Sequence, residues 1–157
     1  TTDKWRRSIL RARHSPIRYL QFSFYIECPY WVAMHLCRHH VGAQPYVRSQ
    51  RNDRQFEYDR NAAPQDATVS MILDLNGEAV INLANKRLCG TTAKETRDVV
   101  RRMCELIKEV CPEHTDELVP MCVRNGYICH EMKSCKEHTH KMPSQVDRLN
   151  PLGVVGK

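Results

Sequence analysis

Apolar positions along this chain fall into blocks of different period, and those periods predict its elements. Residues 4–13 read as a strongly basic helix, which ends at His14-Ser15-Pro16-Ile17 because a residue before proline is pushed out of the helical region. Tyr19 to Glu27 is rich in aromatic and β-branched residues with partial alternation, the pattern of a strand. Pro29 suits the start of a helix, predicted from Tyr30 to about His39 and largely buried. It sets Val32, Leu36 and His39 on one side, and Trp31, Met34 and Arg38 on another. Residues 40–66 carry Gly, Pro, Asn and Asp with little periodicity and predict a long functional loop. From Val69 to Leu88 the positions Ile72, Leu75, Ala79, Val80, Leu83 and Ala84 recur at helical spacing, so one helix is expected, closed by Gly90. Thr92 and Glu95 have the spacing of a capping box opening a further helix. Its core stripe would be Val99, Val100, Met103, Leu106, Ile107 and Val110, with Arg97 and Arg101 one turn apart on another face. Pro112 closes that helix, a shorter one is expected from Thr115, and the end of the chain is Cys/His-rich and then loop-like.

Composition narrows the class. At 157 residues and 41% hydrophobic the chain suits one compact domain, 1–157, with a Cys/His-rich C-terminal segment at 120–142. No apolar run has the length of a membrane span and no secretory signal is visible. A net charge of +6 favours anionic partners, yet Lys and Arg are spread along the chain, which disfavours a simple nucleic-acid-binding arm. Eight cysteines would suit disulfides in a secreted protein. Cys37 and Cys104, however, sit in apolar helical patterns, where a reduced thiol behaves as a small hydrophobe, so a reduced, cytoplasmic protein is expected.

Chemistry concentrates between Arg38 and Arg51. An Arg38-His39-His40 cluster ends an apolar helix, Ser49-Gln50-Arg51 follows, and no carboxylate intervenes before Asp53. Such donors are costly to hold together without an anion among them, and phosphate is the commonest anion that takes bidentate guanidinium contacts. No GxGxxG or GxxxxGK loop is present, which disfavours a nucleotide-binding βαβ domain. The run Cys122, Cys129, Cys135, His138 and His140 has enough ligands for a tetrahedral zinc site but lacks tight Cys-x2-Cys pairs. His35 and His39, one helical turn apart, are core histidines or a partial metal site lacking a third ligand. The basic face of residues 4–13 is a solvated surface, a flavin-phosphate contact at a subunit boundary, or a nucleic-acid contact.

Stretches in consistent order across residues 13–111 resemble the flavin-dependent thymidylate synthases, the ThyX family. His14-Ser15-Pro16 with Phe22-Ser23-Phe24 is similar to the family's His-x-Ser/Thr-Pro element and its Phe-Thr-Phe strand. Arg38-His39-His40 followed by Ser49 and Arg51 resembles the signature RHRxxSxNExSxRY. Leu75-Asn76 through Asn85-Lys86-Arg87 resembles the helix that ends in Asn-Leu-Arg, and Thr92 to Arg97 resembles Ala-Gln-Trp-Glu-Ile-Arg. The resemblance implies an α/β (α+β) fold with a central antiparallel sheet and flanking helices, assembled as a homotetramer whose active sites are shared between subunits. It also implies FAD as cofactor, NADPH and methylenetetrahydrofolate as co-substrates, and conversion of dUMP to dTMP. No active-site cysteine is needed, so Cys37 and Cys89 need not be nucleophiles.

By the same resemblance, Ser15, Arg38, His39, His40, Asn85 and Arg87 bind the flavin. His35, Gln44, Ser49, Gln50, Arg51 and Arg97 bind the nucleotide, and Ser49 and Arg51 stand in the catalytic pocket. The signature's Asn-Glu pair is replaced by Tyr46-Val47 or neighbours, His35 stands where a glutamine is usual, and Lys94 replaces the tryptophan. Two alternatives stay open. One is a divergent homologue that methylates or hydroxymethylates another pyrimidine nucleotide such as UMP. The other is a zinc-stapled module that uses the basic loop on nucleic acid, its weak metal candidates being Cys122, Cys129, Cys135 and His138.

Overall fold

The computed structural model describes residues 2–51 and 59–138. Helix α1, Asp3–Arg11, is opened by the Thr2 hydroxyl accepting from the Trp5 amide, and it buries only Leu10. A 3-10 turn, Ser15–Tyr19, follows the break that Pro16 imposes. Strand β1 is Gln21–Pro29, helix α2 Tyr30–Cys37, strand β2 Ala43–Val47 and strand β3 Thr68–Asn76. Helix α3 is Gly77–Arg87, helix α4 Lys94–Val110 and the short helix α5 Met121–Arg124.

The sheet has the order β1-β3-β2 with both pairings antiparallel, as expected for a mixed helix-and-sheet fold. Alternation sorts its faces. Ile26, Cys28, Val69, Met71, Leu73 and Leu75 point into the core, where Val32, Ala33 and Leu36 of α2, Ile81 and Ala84 of α3, and Val100 and Ile107 of α4 complete the packing. Tyr25, Ile72 and Tyr46 form one cross-strand row on the opposite, exposed face. Pro45 is accommodated because β2 is an edge strand, where a missing N–H breaks no ladder bond.

Five expectations about elements need correction. Residues 69–88 are not one helix. They form β3 and then α3, joined at Asn76, whose side chain accepts from the Ala79 amide at 2.9 Å and caps the helix. The chain turns tightly there: a Cβ on Gly77 would overlap the Ile17 carbonyl oxygen, and the Gly77 amide donates to the Leu20 carbonyl at 3.0 Å. The loop expected over 40–66 contains β2, a strand stabilised by pairing with β3 and invisible to local periodicity. No capping box opens α4; Ala93 takes the cap position and the Thr92 hydroxyl donates instead to the Lys86 carbonyl at 3.3 Å. In place of a helix from Thr115 there is a 3-10 turn, Pro112–His114, and then α5. The stripe of α4 is also narrower than expected, since Val100, Met103 and Ile107 are buried but Val110 is exposed. Among the described residues no helix is long and apolar enough to cross a membrane.

Candidate functional site

Helix α2 ends at Cys37 with Arg38 as its C-cap, α3 ends at Arg87, and α4 begins just before Thr96 and Arg97. Packing of these helices against one another brings their ends together under the sheet. The Arg87 guanidinium is the hub. Its Nε donates to His39 Nε2 at 2.8 Å and its Nη2 donates to the His35 carbonyl at 3.2 Å. His39 Nε2 is therefore an acceptor, so in the neutral ring the proton sits on Nδ1. Burial, then the charge of Arg87, then His40, push the His39 pKa down to about 4. His39 is thus a neutral ligand of Arg87 near pH 7, where the sequence had suggested a cation. The correction follows from burial, which sequence counting cannot see.

His35 extends the network. Its Nδ1 lies 3.1 Å from the Thr96 hydroxyl of α4, and Trp31 packs edge-on against the ring with centroids 5.3 Å apart. Burial lowers its pKa, and the charges of Arg87 and Arg38 add to the fall. Arg87, half-buried, is itself lowered, first by burial and then by the exposed Arg38. Among the described residues neither arginine makes an ion pair with a carboxylate. His40 is exposed and its Nδ1 lies 3.1 Å from the Arg38 carbonyl.

Arg97, one residue beyond Thr96, is mostly covered and its Nη1 contacts Glu137 Oε2 at 2.7 Å. Its Nε is buried and meets no acceptor among the described residues.

Gln44 is on the exposed face of the sheet, opposite the helices, in register with Asp74. Ser49 and Gln50 are half-buried just past β2, Arg51 is exposed, and the Arg51 amide donates to the Ser49 hydroxyl at 3.4 Å. Ser15 is exposed at the start of the first 3-10 turn. Within one chain, then, Gln44 and the Arg87 cluster occupy opposite sides of the sheet. Asn85 is fully buried. Its Nδ2 donates to the Glu117 carbonyl at 3.0 Å and the Val119 carbonyl at 2.7 Å, and its Oδ1 accepts from Arg13 at 3.0 Å. Its polar atoms are spent within the fold.

Sequence reasoning passed over His114 and Glu137, and took Arg13 only as part of a basic face. Arg13 has φ +56°, a half-buried side chain and a pKa lowered by burial and then by Arg124, and it ties the end of α1 to Asn82 and Asn85. His114 is fully buried against Phe22, with its pKa lowered by burial. Glu137 has no motif around it; only the fold lays it on Arg97.

The basic face of α1 is neutralised. Arg7 meets Asp116 at 2.8 Å, Arg6 meets Glu113 at 3.6 Å, and Arg11 lies 4.0 Å from Glu117. The face is solvent-exposed, as one of the expected readings had it, and its arginines are in addition paired with carboxylates. Cys122 and Cys129 are buried, Cys135 is half-buried, and His138 sits 3.8 Å from Glu137. Among the described residues no group of three or more His, Cys, Asp or Glu side chains is placed to hold a metal ion. His140 lies outside the described residues.

Comparisons with known proteins agree with the resemblance to ThyX. Residues 53–113 match the model of the Thy1 family, thymidylate synthase complementing protein. Among solved structures the chain is similar to a UMP/dUMP methylase, PolB, from Streptomyces cacaoi, bound with 5-Br dUMP. The TM-score is 0.61 at 14% identity, over 73% of this chain and 77% of that one, a likeness that speaks for the fold. No curated protein matches the sequence.

Proposed function

From a chain whose residues 53–113 match the thymidylate synthase complementing protein family, we propose a cytoplasmic, flavin-dependent enzyme that methylates C5 of a pyrimidine nucleotide, converting dUMP to dTMP. The observation that carries this reading is the Arg87 guanidinium held by His39 Nε2 and the His35 carbonyl next to Arg38, with no carboxylate on either arginine among the described residues. Two guanidiniums held this way are stabilised by a bound polyanion, and a dinucleotide diphosphate such as that of FAD fits them.

In this reading the residues divide the work. Arg38 and Arg87 hold the flavin phosphates, with His40 at the edge of the site. His39, neutral, takes the Arg87 Nε proton as a hydrogen bond and turns the remaining guanidinium edge toward the ligand. Arg97 holds the nucleotide phosphate, and His35, braced by Thr96, faces the nucleotide. Asn85 serves indirectly, fixing the last turns of α3 through Glu117, Val119 and Arg13. The redox chemistry belongs to FAD, reduced by NADPH, with methylenetetrahydrofolate as carbon donor. Fixed cations beside a reduced flavin and a pyrimidine ring stabilise the negative charge that develops on them.

Gln44, Ser49, Gln50 and Arg51 would line the pyrimidine pocket from a neighbouring copy. Gln44 and the Arg87 cluster lie on opposite sides of one sheet, so a shared site in a homotetramer is the arrangement that lets both serve. Ser15 would contact the flavin across a similar boundary. The finer choice of nucleotide follows His35, which stands where a glutamine is usual. UMP is the second reading, favoured by the likeness to a methylase of both UMP and dUMP.

The test is direct. Purified protein is incubated with FAD, NADPH, methylenetetrahydrofolate and either dUMP or UMP, and products are identified by mass. We expect flavin-dependent dTMP. A mass gain of a hydroxymethyl group, or faster turnover of UMP, would select the alternative chemistry. No product from either nucleotide with flavin and nucleotide both bound would contradict the proposal.

A further inference from the structure

The C-terminal segment crosses the same site that the nucleotide is proposed to use. After α5 the chain returns so that residues 131–138 lie over the connection between α3 and α4. Glu131 lies 3.8 Å from the Lys86 ammonium at the end of α3, and Glu137 Oε2 lies 2.7 Å from Arg97 Nη1 at the start of α4. Gly90, in the connection, makes room for this crossing. A Cβ there would overlap Glu137 Oε2 and stand 2.9 Å from Cys135 Sγ. The strap thus depends on a missing side chain beneath it as well as on an ion pair.

The contact has the form of an occupied anion site. A carboxylate is the protein's own approximation to a phosphate, and a guanidinium donates to either through the same N–H groups. Glu137 engages one Arg97 nitrogen, while the buried Nε has no acceptor among the described residues, so the arginine keeps donor capacity that a phosphate with more oxygens can use. Glu137 itself is nearly half exposed, which makes its ion pair weak enough to exchange.

Resting on the reading that Arg97 holds the nucleotide phosphate, we infer that Glu137 is a built-in competitor, a strap carboxylate that fills the Arg97 anion site until the phosphate of a pyrimidine nucleotide displaces it. The site is self-occluded in the free chain, and the 131–138 strap must lift for nucleotide to bind. Apparent affinity is then the intrinsic affinity reduced by the fraction of molecules with the strap open.

The experiment is calorimetric titration of dUMP into the parent chain and four variants. Glu137→Gln removes the competing charge, and Gly90→Ala pushes the strap away by a different route. Glu105→Gln makes the same charge change on α4, where the carboxylate pairs with Arg102, and Arg97→Ala removes the site. We expect Glu137→Gln and Gly90→Ala each to tighten dUMP binding about three- to tenfold, the factor for an open fraction of roughly a third to a tenth. Glu105→Gln should match the parent and Arg97→Ala should lose binding. Equal affinity in the parent, Glu137→Gln and Gly90→Ala, with Arg97→Ala still impaired, overturns the strap while leaving Arg97 as the nucleotide arginine. Unchanged binding in Arg97→Ala, or no dUMP binding by any folded form, removes the underlying reading and the strap with it.

Discussion

Two regions of this molecule are rich in arginine, and they have opposite electrostatic surroundings. Along α1, Arg6, Arg7 and Arg11 each stand within 4.0 Å of a carboxylate from residues 113–117. At the ends of α2 and α3, Arg38 and Arg87 lie near one another and near two neutral histidines. The first set closes a surface within the fold. The second leaves an unbalanced positive field in a partly buried place, where charge is expensive to hold and an anion is worth most. Charge count along the sequence ranks α1 first; compensation in space reverses that ranking.

The sharpest way to break the comparison is to truncate one arginine in each region. Arg87→Ala should weaken FAD binding by about 3 kcal/mol, within the ~2–5 for removing one partner of a buried charge contact, or more than a hundredfold. Fluorescence titration of FAD against the variant reads this, and an unchanged affinity would dissolve the distinction between the regions. Next in size, Asn85→Ala leaves two carbonyls and Arg13 short of partners. It should cost about 2 kcal/mol of stability by thermal or urea unfolding, with flavin affinity per folded molecule retained. Loss of flavin affinity at full stability would make Asn85 a direct ligand after all.

Acid should act on the histidines of the second region and on His114. Each has a folded pKa below its ordinary value of 6.5, with His39 near 4. Above pH 6.5 neither state gains protons at these groups, so they leave stability flat. As pH falls from 6.5 toward 4, the unfolded chain takes up protons that the folded chain refuses, and stability declines. Melting temperature followed from pH 7.5 to 4.5 should fall below about 6.5, and less steeply in His114→Leu and in His39→Gln. A melting temperature that rises on acidification would reverse the protonation states assigned here. The smallest effect belongs to α1. Arg7→Ala, removing an exposed pair with Asp116, should change stability by no more than ~1 kcal/mol and leave ligand binding untouched.

What the sequence made legible divides along the same line. Local pattern was enough for α1, β1, α2 and α4, and the resemblance named Arg38, Arg87 and Arg97 from motif alone. Non-local facts were hidden. Ile72 faces outward at 45% exposed, so its apolar side chain completed a helical rhythm across what is really the alternating strand β3. β2 is five residues long with Pro45 at its centre, and only the β3 ladder makes it a strand. His39 reads as a cation until burial beside Arg87 sets its pKa, and nothing local to Asn85 shows that two backbone carbonyls hold its amide. Glu137 lies 40 residues from Arg97 with no motif to join them.

If uncompensated guanidiniums at the ends of α2 and α3 form the flavin-phosphate site, FAD binding should separate the purified protein from its Arg38→Ala/Arg87→Ala double variant. The parent should take up FAD and show the visible absorption of a bound flavin, while the folded double variant should not. Equal flavin binding by both, or none by the parent at saturating FAD, would contradict that assignment.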